Sequence, residues 1–600
     1  MSERDAPELD WTGDGPRSTR FDDVYFQLSD GLAESRAVFL EGCGLPERFA
    51  GRRSFHVGEL GFGTGLNILA LIDLWRRHRP HPAARLTVVS VEGYLISAED
   101  AARALAAFPE LAEAAAELLA QWPDRRAGRH ILDFPEFGAT LILCLGEVEP
   151  VLETLEARMD AWFLDGFAPA RNPDMWTEAV LSRVAQLSAP GCVVSSFTVA
   201  GEVRRRLAAA GFAVAKRPGF GRKRERLEAV MPGPVPGDAT PLVAVIGAGI
   251  AGASLIRAFR RAGLPAALFE AEGAGAGASG NPAALVTPRL DAGLGDVAAL
   301  HAEAYAHAVQ VYRTEAMEAL IARGALQLEK GPRDPSRFDT LSAWDGFAPG
   351  ALQRTAPDET SRRVGEPAAG GALRYRDALV LEPAGVLAAF LGDATPERRR
   401  VAGLARCGTG WTLTDADGAE LGTFDAVCVA AGYDTAALVA DTALRPVRGQ
   451  ITTSAQKLEG EAVAWGGYVI PTRRGLLFGA THQRGEDDRR ARSADDADNL
   501  ESLATVRPAL ARRVGLAPLG HRAAIRTSAP DHMPLAGAAG PGLFLLTGFG
   551  GRGFTLAPLL AEQVVAEVTG APRPLSRTLA RRLDPRRYTQ TVTPDQGPGS

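Results

Sequence analysis

The chain of 600 residues is short of cysteine, of histidine and of long apolar runs, and each shortage closes off a class of protein. Its five cysteines, Cys43, Cys144, Cys192, Cys407 and Cys428, form no CxxC pair, and several sit in apolar strings such as LILCLG and DAVCVAAG. They read as buried free thiols rather than disulfides, zinc ligands or nucleophiles. Nine histidines without a close Cys/His cluster give no basis for a structural metal, and none is expected. No uncharged apolar run reaches the ~18 residues that suggest a membrane span. Met1 to Asp10 is polar and acidic, unlike a secretory leader, so a cytoplasmic protein without a membrane partner is expected. A net charge of −6 lacks the basic excess that coats nucleic acid by charge alone, although it does not report local patches.

What is present suffices for more than one hydrophobic core, with 46% hydrophobic residues spread over a chain too long for a single one. The string MPGPVPGDATP is rich in Pro and Gly, lacks periodicity and precedes a strand-like run, which marks a linker at 232–241 between domains of 1–231 and 242–600. Each side opens its own nucleotide-binding pattern. The tail beyond Pro572, rich in Arg and Pro, is expected to fray.

Upstream, strands alternate with helices: SFHVGEL, then LTVVSVEG, a long Ala-rich helical region around Ala101 to Gln121, then TLILCLG, DAWFLDGF and CVVSSFTV. That alternation predicts an α/β, Rossmann-like, mostly parallel doubly wound sheet. Glu59, Gly61, Gly63 and Gly65 form an ExGxGxG turn, where glycine lets the backbone turn tightly and a cofactor approach. Glu92 closes the next strand about 30 residues on, placed to accept both ribose hydroxyls. The GxGxG form and this spacing favour S-adenosylmethionine over NAD. Glu147 is a weaker candidate for the adenine side. In AWFLDGFAPARNPDMW an apolar strand delivers Asp165 to the carboxyl end of the sheet, where α/β folds bind ligands. A carboxylate facing a methyl donor can take the proton that an amine must lose before attack, and Asp165 is the candidate for that role. The alternative is that it merely caps a turn.

Downstream, Gly247, Gly249 and Gly252 form GxGxxG directly after LVAVI, and Glu270 follows about 20 residues later, completing a dinucleotide fingerprint on an FAD-binding Rossmann domain. The small-residue loop GAGASGNPAALVTPRL and a late glycine-rich turn, TGFGGRGFTLAP, favour FAD over NAD. Gly548, Gly550, Gly551, Arg552 and Gly553 of that turn are placed against the cofactor. The stretch from about Leu294 to Arg445 mixes helical segments with short strands and is harder to read; an α+β substrate subdomain is expected beside the FAD-binding Rossmann domain.

FDDVYFQLSDGLAESRAVFLEG, ELGFGTGLN, DAWFLDGFAPARNPDMW and KRPGFGRKRE together resemble the N-terminal half of the bifunctional tRNA 5-methylaminomethyl-2-thiouridine biosynthesis family. The second half resembles both that family and the D-amino acid oxidase and glycine oxidase superfamily. The chain departs from the family pattern at Gly93, where a basic residue is usual, and at Glu147, where aspartate is usual. The resemblance implies tRNA as partner, an FAD-dependent removal of the carboxymethyl group from a wobble-uridine side chain, and methylation of the amine so exposed. It makes Asp165 the acceptor-side residue, and Arg526 in AIRTSAPDHMPLAG the substrate-binding arginine, with Arg552 a second candidate. Arg448, Gly449 and Gln450 are candidates to line the approach. It turns Arg222, Lys223 and Arg224, otherwise a solvated basic stretch, into a phosphate-binding loop. Phe21, Tyr25 and Phe26 either stack on a flipped base or pack a core. A monomer is expected. Two other readings compete: a small-molecule amine N-methyltransferase joined to a sarcosine- or glycine-type oxidase, and a degenerate pair acting as a tRNA-binding or chaperone-like module.

Overall fold

The computed structural model describes residues 7–11, 15–26, 30–221, 224–235, 237 and 239–591. Its contacts group the residues up to Thr240, with Arg261–Leu264 and Thr569–Arg577, into one unit. Pro241–Arg260, Pro265–Val568 and the residues from Thr578 onward form a second.

The first unit is built around strand β1 (Ser54–Leu60), of which every residue after Ser54 is buried. Such a run suits the centre of a parallel sheet covered on both faces. Seven further strands follow: β2 (Arg85–Glu92), β3 (Gly128–Phe134), β4 (Ala139–Leu145), β5 (Met159–Leu164), β6 (Ser188–Ser196), β7 (Ala213–Pro218) and β8 (Glu225–Val230). They lie in the order β7-β8-β6-β5-β1-β2-β4-β3. The chain leaves β1 to one side through β2 and β4 and returns on the other at β5, so the switch point of the sheet lies between β1 and β5. Helix α1 (Leu66–His78) starts at the glycine turn and carries Arg76 and Arg77 in its last turn, cations that suit a helix C-terminus. The expected long Ala-rich helix is two helices, Ala98–Leu105 and Ala112–Ala120, separated at Pro109, because the residue before a proline is driven out of the helical region.

In the second unit strands β9 (Val243–Ile246), β10 (Ala266–Phe269), β11 (Ala426–Val429), β12 (Leu535–Gly540) and β13 (Leu543–Thr547) form a sheet of order β10-β9-β11-β13-β12. All its pairings are parallel except β12 with β13. Helices α2 (Ile250–Arg261), α3 (Asp296–Glu315) and α4 (Gly553–Thr569) belong to this unit. A ten-stranded mixed sheet draws its strands from 284–528, of which only Leu320–Leu328, Leu352–Thr355 and Ala372–Leu381 lie within the hard-to-read stretch, and its strand Arg445–Ser454 pairs antiparallel with Leu519–Ser528. The tail beyond Pro572 does not fray at its start. Leu579 and Leu583 are buried, the Ala536 N–H donates to the Leu583 carbonyl, and Arg587 pairs with Asp531 at 2.9 Å.

Of the five cysteines four are buried and Cys407 is exposed. No helix among the described residues is long and apolar enough to cross a membrane.

Arg257 of α2 has no exposed surface, yet it is fully partnered: it binds Glu315 through two nitrogens at 2.6 and 2.9 Å and Glu562 at 2.8 Å. This fastens α2 to α3 and α4. Removing one partner from a buried ionic group leaves the others uncompensated, at a cost of about 3–5 kcal/mol. Arg257→Met is therefore expected to lower stability by about that much, measured as a fall in the denaturant midpoint for flavin release; an unchanged midpoint would contradict the role given to Arg257.

Candidate active sites

In the first unit the turn after β1 holds Gly61, Gly63 and Gly65 at φ of +94°, +55° and +81°. Room matters most at Gly61, where a Cβ would come within 2.5 Å of the Asp165 carbonyl oxygen across the switch point. Glu92, at the end of β2, accepts the Gly63 N–H at 3.0 Å on one oxygen and the Tyr94 N–H at 2.7 Å on the other. A carboxylate offers about four acceptor positions, so half remain for ribose hydroxyls. Glu147 follows β4, the neighbour of β2, and is exposed. Glu92, Glu147, Asp165 and the glycine turn thus share the carboxyl edge of the sheet.

Glu59 lies beneath that edge, with no exposed surface. The Ser90 hydroxyl donates to it at 2.5 Å and the Asn67 amide at 3.3 Å. Burial pushes the Glu59 carboxyl well above the usual carboxylate range against these hydrogen bonds, and the charges of Asp165 and Glu92 add to the rise. The same Asn67 nitrogen donates to Asp165 at 2.7 Å. Sequence reasoning gave Asn67 no role, although it closes the ELGFGTGLN string.

Residues 15–26 cover the loop that follows Asp165. The Ala168 N–H donates to Asp23 at 3.1 Å, Arg171 pairs with Asp22 at 3.1 Å, and Phe21 and Tyr25 lie 4.9 and 5.2 Å from Phe167 by ring centroid. Phe26 is buried against Phe108, which makes it a core residue. Strands β7 and β8 carry the basic stretch as a hairpin closed by the Gly219 N–H on the Arg224 carbonyl. Lys216 pairs with Glu225, and Arg217 and Arg226 with Glu228. Arg224 is exposed, whereas Arg222 and Lys223 lie outside the described residues.

The second unit repeats the arrangement. Gly247 has φ +102°, and a Cβ there would lie 2.6 Å from the Ala430 carbonyl oxygen, across the β9/β11 switch point; at Gly252 it would lie 1.7 Å from the Gly247 carbonyl. A Cβ at Gly249 would meet Ser279 at 3.1 Å. Glu270 accepts the Ala248 N–H at 2.8 Å and the Glu272 N–H at 2.9 Å. A cavity of about 880 Å³ is bounded by this turn, by Glu270, by the late turn Gly548–Gly553, and by Gln327, Tyr375, Tyr468, His482 and Arg526.

Arg526 sits opposite Val447 on the paired strands, and a Cβ on Gly449 would come within 2.9 Å of its guanidinium. Alternation along a strand sends Arg448 and Gln450 to the other face. There Arg448 is fully buried and paired with Asp495 at 2.6 Å, and Gln450 binds Asp496 at 3.0 Å, so neither lines the approach. Arg552 is committed to Thr287, donating to its hydroxyl at 2.6 Å and its carbonyl at 3.1 Å. Burial lowers the proton affinity of His482, with help from Arg526, Arg484 and His532, so this imidazole is neutral near pH 7.

Two Rossmann-type units with a glycine turn and a braced carboxylate each, one opening on Asp165 and the other on an arginine-walled cavity, define a bifunctional methyltransferase and oxidoreductase. A family model of S-adenosyl-L-methionine-dependent methyltransferases matches residues 109–232, and one of FAD dependent oxidoreductases matches residues 243–567. The tRNA 5-methylaminomethyl-2-thiouridine biosynthesis bifunctional protein MnmC of Caulobacter vibrioides is 51% identical over 587 residues, covering 98% of each chain. That of Maricaulis maris is 42% identical over 99% of this chain and 98% of its own. A glycine oxidase structure from Geobacillus kaustophilus covers 55% of this chain and 94% of its own, with 23% identity and a TM-score of 0.47. The chain belongs to the MnmC family of bifunctional proteins, with S-adenosylmethionine and FAD as its cofactors.

The close approaches at Gly61 and Gly252 separate the two cofactors experimentally. Gly252→Val is expected to yield colourless protein that still binds S-adenosylmethionine by calorimetry, and Gly61→Val yellow protein that does not. Loss of both ligands in either variant would show that the sites are not independent.

Proposed function

We propose that the chain carries out two consecutive steps on one tRNA wobble uridine, as a cytoplasmic monomer. The FAD unit removes the carboxymethyl group from 5-carboxymethylaminomethyl(-2-thio)uridine, giving 5-aminomethyl(-2-thio)uridine. The methyltransferase unit then makes 5-methylaminomethyl(-2-thio)uridine. The observation that carries the proposal is the match to MnmC proteins along the whole chain, across both units.

Bound FAD supplies a hydride acceptor and bound S-adenosylmethionine an electrophilic methyl group. In the oxidase cavity Arg526 is a cation with no hydrogen-bond or ion-pair partner among the described residues, flanked by Tyr468 and by the neutral His482. A guanidinium so placed holds the substrate carboxylate by two hydrogen bonds and fixes the adjoining CH₂. Hydride loss from that CH₂ leaves an imine, which water splits into the primary amine and glyoxylate. Arg552, already bonded to Thr287, braces the cofactor loop instead. In the other unit Asp165, at the switch point, receives the proton that the amine gives up as it attacks. Glu92 and Glu270 hold the riboses, Gly63 and Gly65 and the late glycines Gly548, Gly550, Gly551 and Gly553 leave room for the cofactors, and Arg224 with its neighbours binds backbone phosphate.

Mass spectrometry of tRNA nucleosides tests the sequence of steps. Incubation without S-adenosylmethionine is expected to accumulate the primary amine and incubation with it the methylamine; unchanged carboxymethyl nucleoside in both would refute the proposal. Arg526→Ala removes a charge-assisted contact worth about 1.5–3 kcal/mol, so kcat/KM for the oxidation should fall about 10- to 100-fold while methylation of supplied primary amine is retained.

A further inference from the structure

Asn67 occupies the first turn of α1, directly after the glycine turn, and is only 8% exposed. Its Nδ2 carries two hydrogens, and both are used: one reaches Glu59 on β1 at 3.3 Å, the other Asp165 at the end of β5 at 2.7 Å. The Asp165 carboxylate only accepts, which turns the amide nitrogen toward it. The side chain therefore bridges the switch point, from the buried acid beneath the sheet edge to the carboxylate above it.

We infer that Asn67 is a positioning residue for methyl transfer, whose amide holds the Asp165 carboxylate in one orientation and in its ionised form. This rests on the methyltransferase reading above and names a residue that serves it. Among the described residues the acidic and phenolic groups of this region include Glu59 from β1, Glu92 from β2 and Tyr94 just after it, and Tyr25 from the segment over the site with Asp100 beside it, while Asp23 holds the following loop through the Ala168 N–H. Ionised, Glu59 would oppose a negative charge on Asp165; burial raises the proton affinity of Glu59, which weakens that opposition. A donor hydrogen bond to a carboxylate favours its charged form, which is the form able to take a proton from an amine.

The sign of the test follows. Without the Asn67 amide the proton affinity of Asp165 rises, and methyl transfer then needs a higher pH. Single-turnover methylation of tRNA bearing 5-aminomethyluridine, by full-length protein with saturating S-adenosylmethionine, is measured across pH for Asn67→Ala and for Asn67→Leu, which restores volume without a donor. Both are expected to slow the reaction about 10- to 100-fold and to move the acid limb up by about one pH unit. Affinity for S-adenosylmethionine should stay within about threefold, and flavin content should be that of the wild type. Recovery of the rate in Asn67→Leu would show a packing role and overturn the inference, as would an unmoved acid limb or a collapse of cofactor affinity in both variants. Wild-type protein that fails to methylate the primary amine would instead remove the reading on which the inference rests.

Discussion

The structure depends on a close approach of backbone to backbone at the carboxyl edge of two parallel sheets. After the central strand of each, the turn passes so near the strand across the switch point that a Cβ would lie 2.5 Å from the Asp165 carbonyl in one unit and 2.6 Å from the Ala430 carbonyl in the other. Glycine at these positions lets the turn stay against its neighbour, with the helix opening onto the ligand. The acid at the end of the next strand then braces the turn through a backbone N–H, at 3.0 Å for Glu92 and 2.8 Å for Glu270. The carboxylates expected to read ribose are thus also part of what shapes the turn they serve.

Burial decides which neighbouring ionisable groups carry charge. Glu59, Glu92 and Asp165 crowd one sheet edge, and three negative charges there would repel one another; withdrawing Glu59 from solvent raises its proton affinity, which works against that crowding. In the cavity of the second unit the same logic keeps His482 neutral beside Arg526, so that positive charge there is carried by arginine rather than histidine. On the opposite face of that strand pair Arg448 has its charge answered by Asp495 at 2.6 Å and by two carbonyls, which makes it structural despite its kinship in sequence with a site residue.

The turns and their acids were legible because they rest on local rules: a strand, a glycine spacing and a carboxylate one strand further on. Asn67 was not, since its role depends on Glu59 and Asp165 meeting across a strand order that periodicity does not specify. Nor was the division between Arg448 and Gly449, adjacent residues sent to opposite faces by a pairing register that places Val447 against Arg526. The long mixed sheet escaped for a related reason, its strands being drawn from segments far apart in the chain and many of them only two to five residues long. The tail misled because its arginines suggested solvation, whereas Arg587 is tied to Asp531 and Leu583 is buried.

On the proposed function a tRNA would have to be held by a chain of net charge −6, so its phosphates would need local rather than global attraction. The hairpin of β7 and β8 would meet this with cations that are already paired but weakly held. Lys216 and Arg217 remain 39% and 58% exposed in their ion pairs, and exposed pairs of this kind are worth about 0–1 kcal/mol. Such a cation exchanges its carboxylate for a phosphate at little cost. Arg226 and Glu228, at 17% and 19% exposure, form the firmer pair and fix the hairpin. The carboxylates on this hairpin therefore hold the side chains in place without removing them from use, and binding achieved this way is sensitive to salt and indifferent to base sequence.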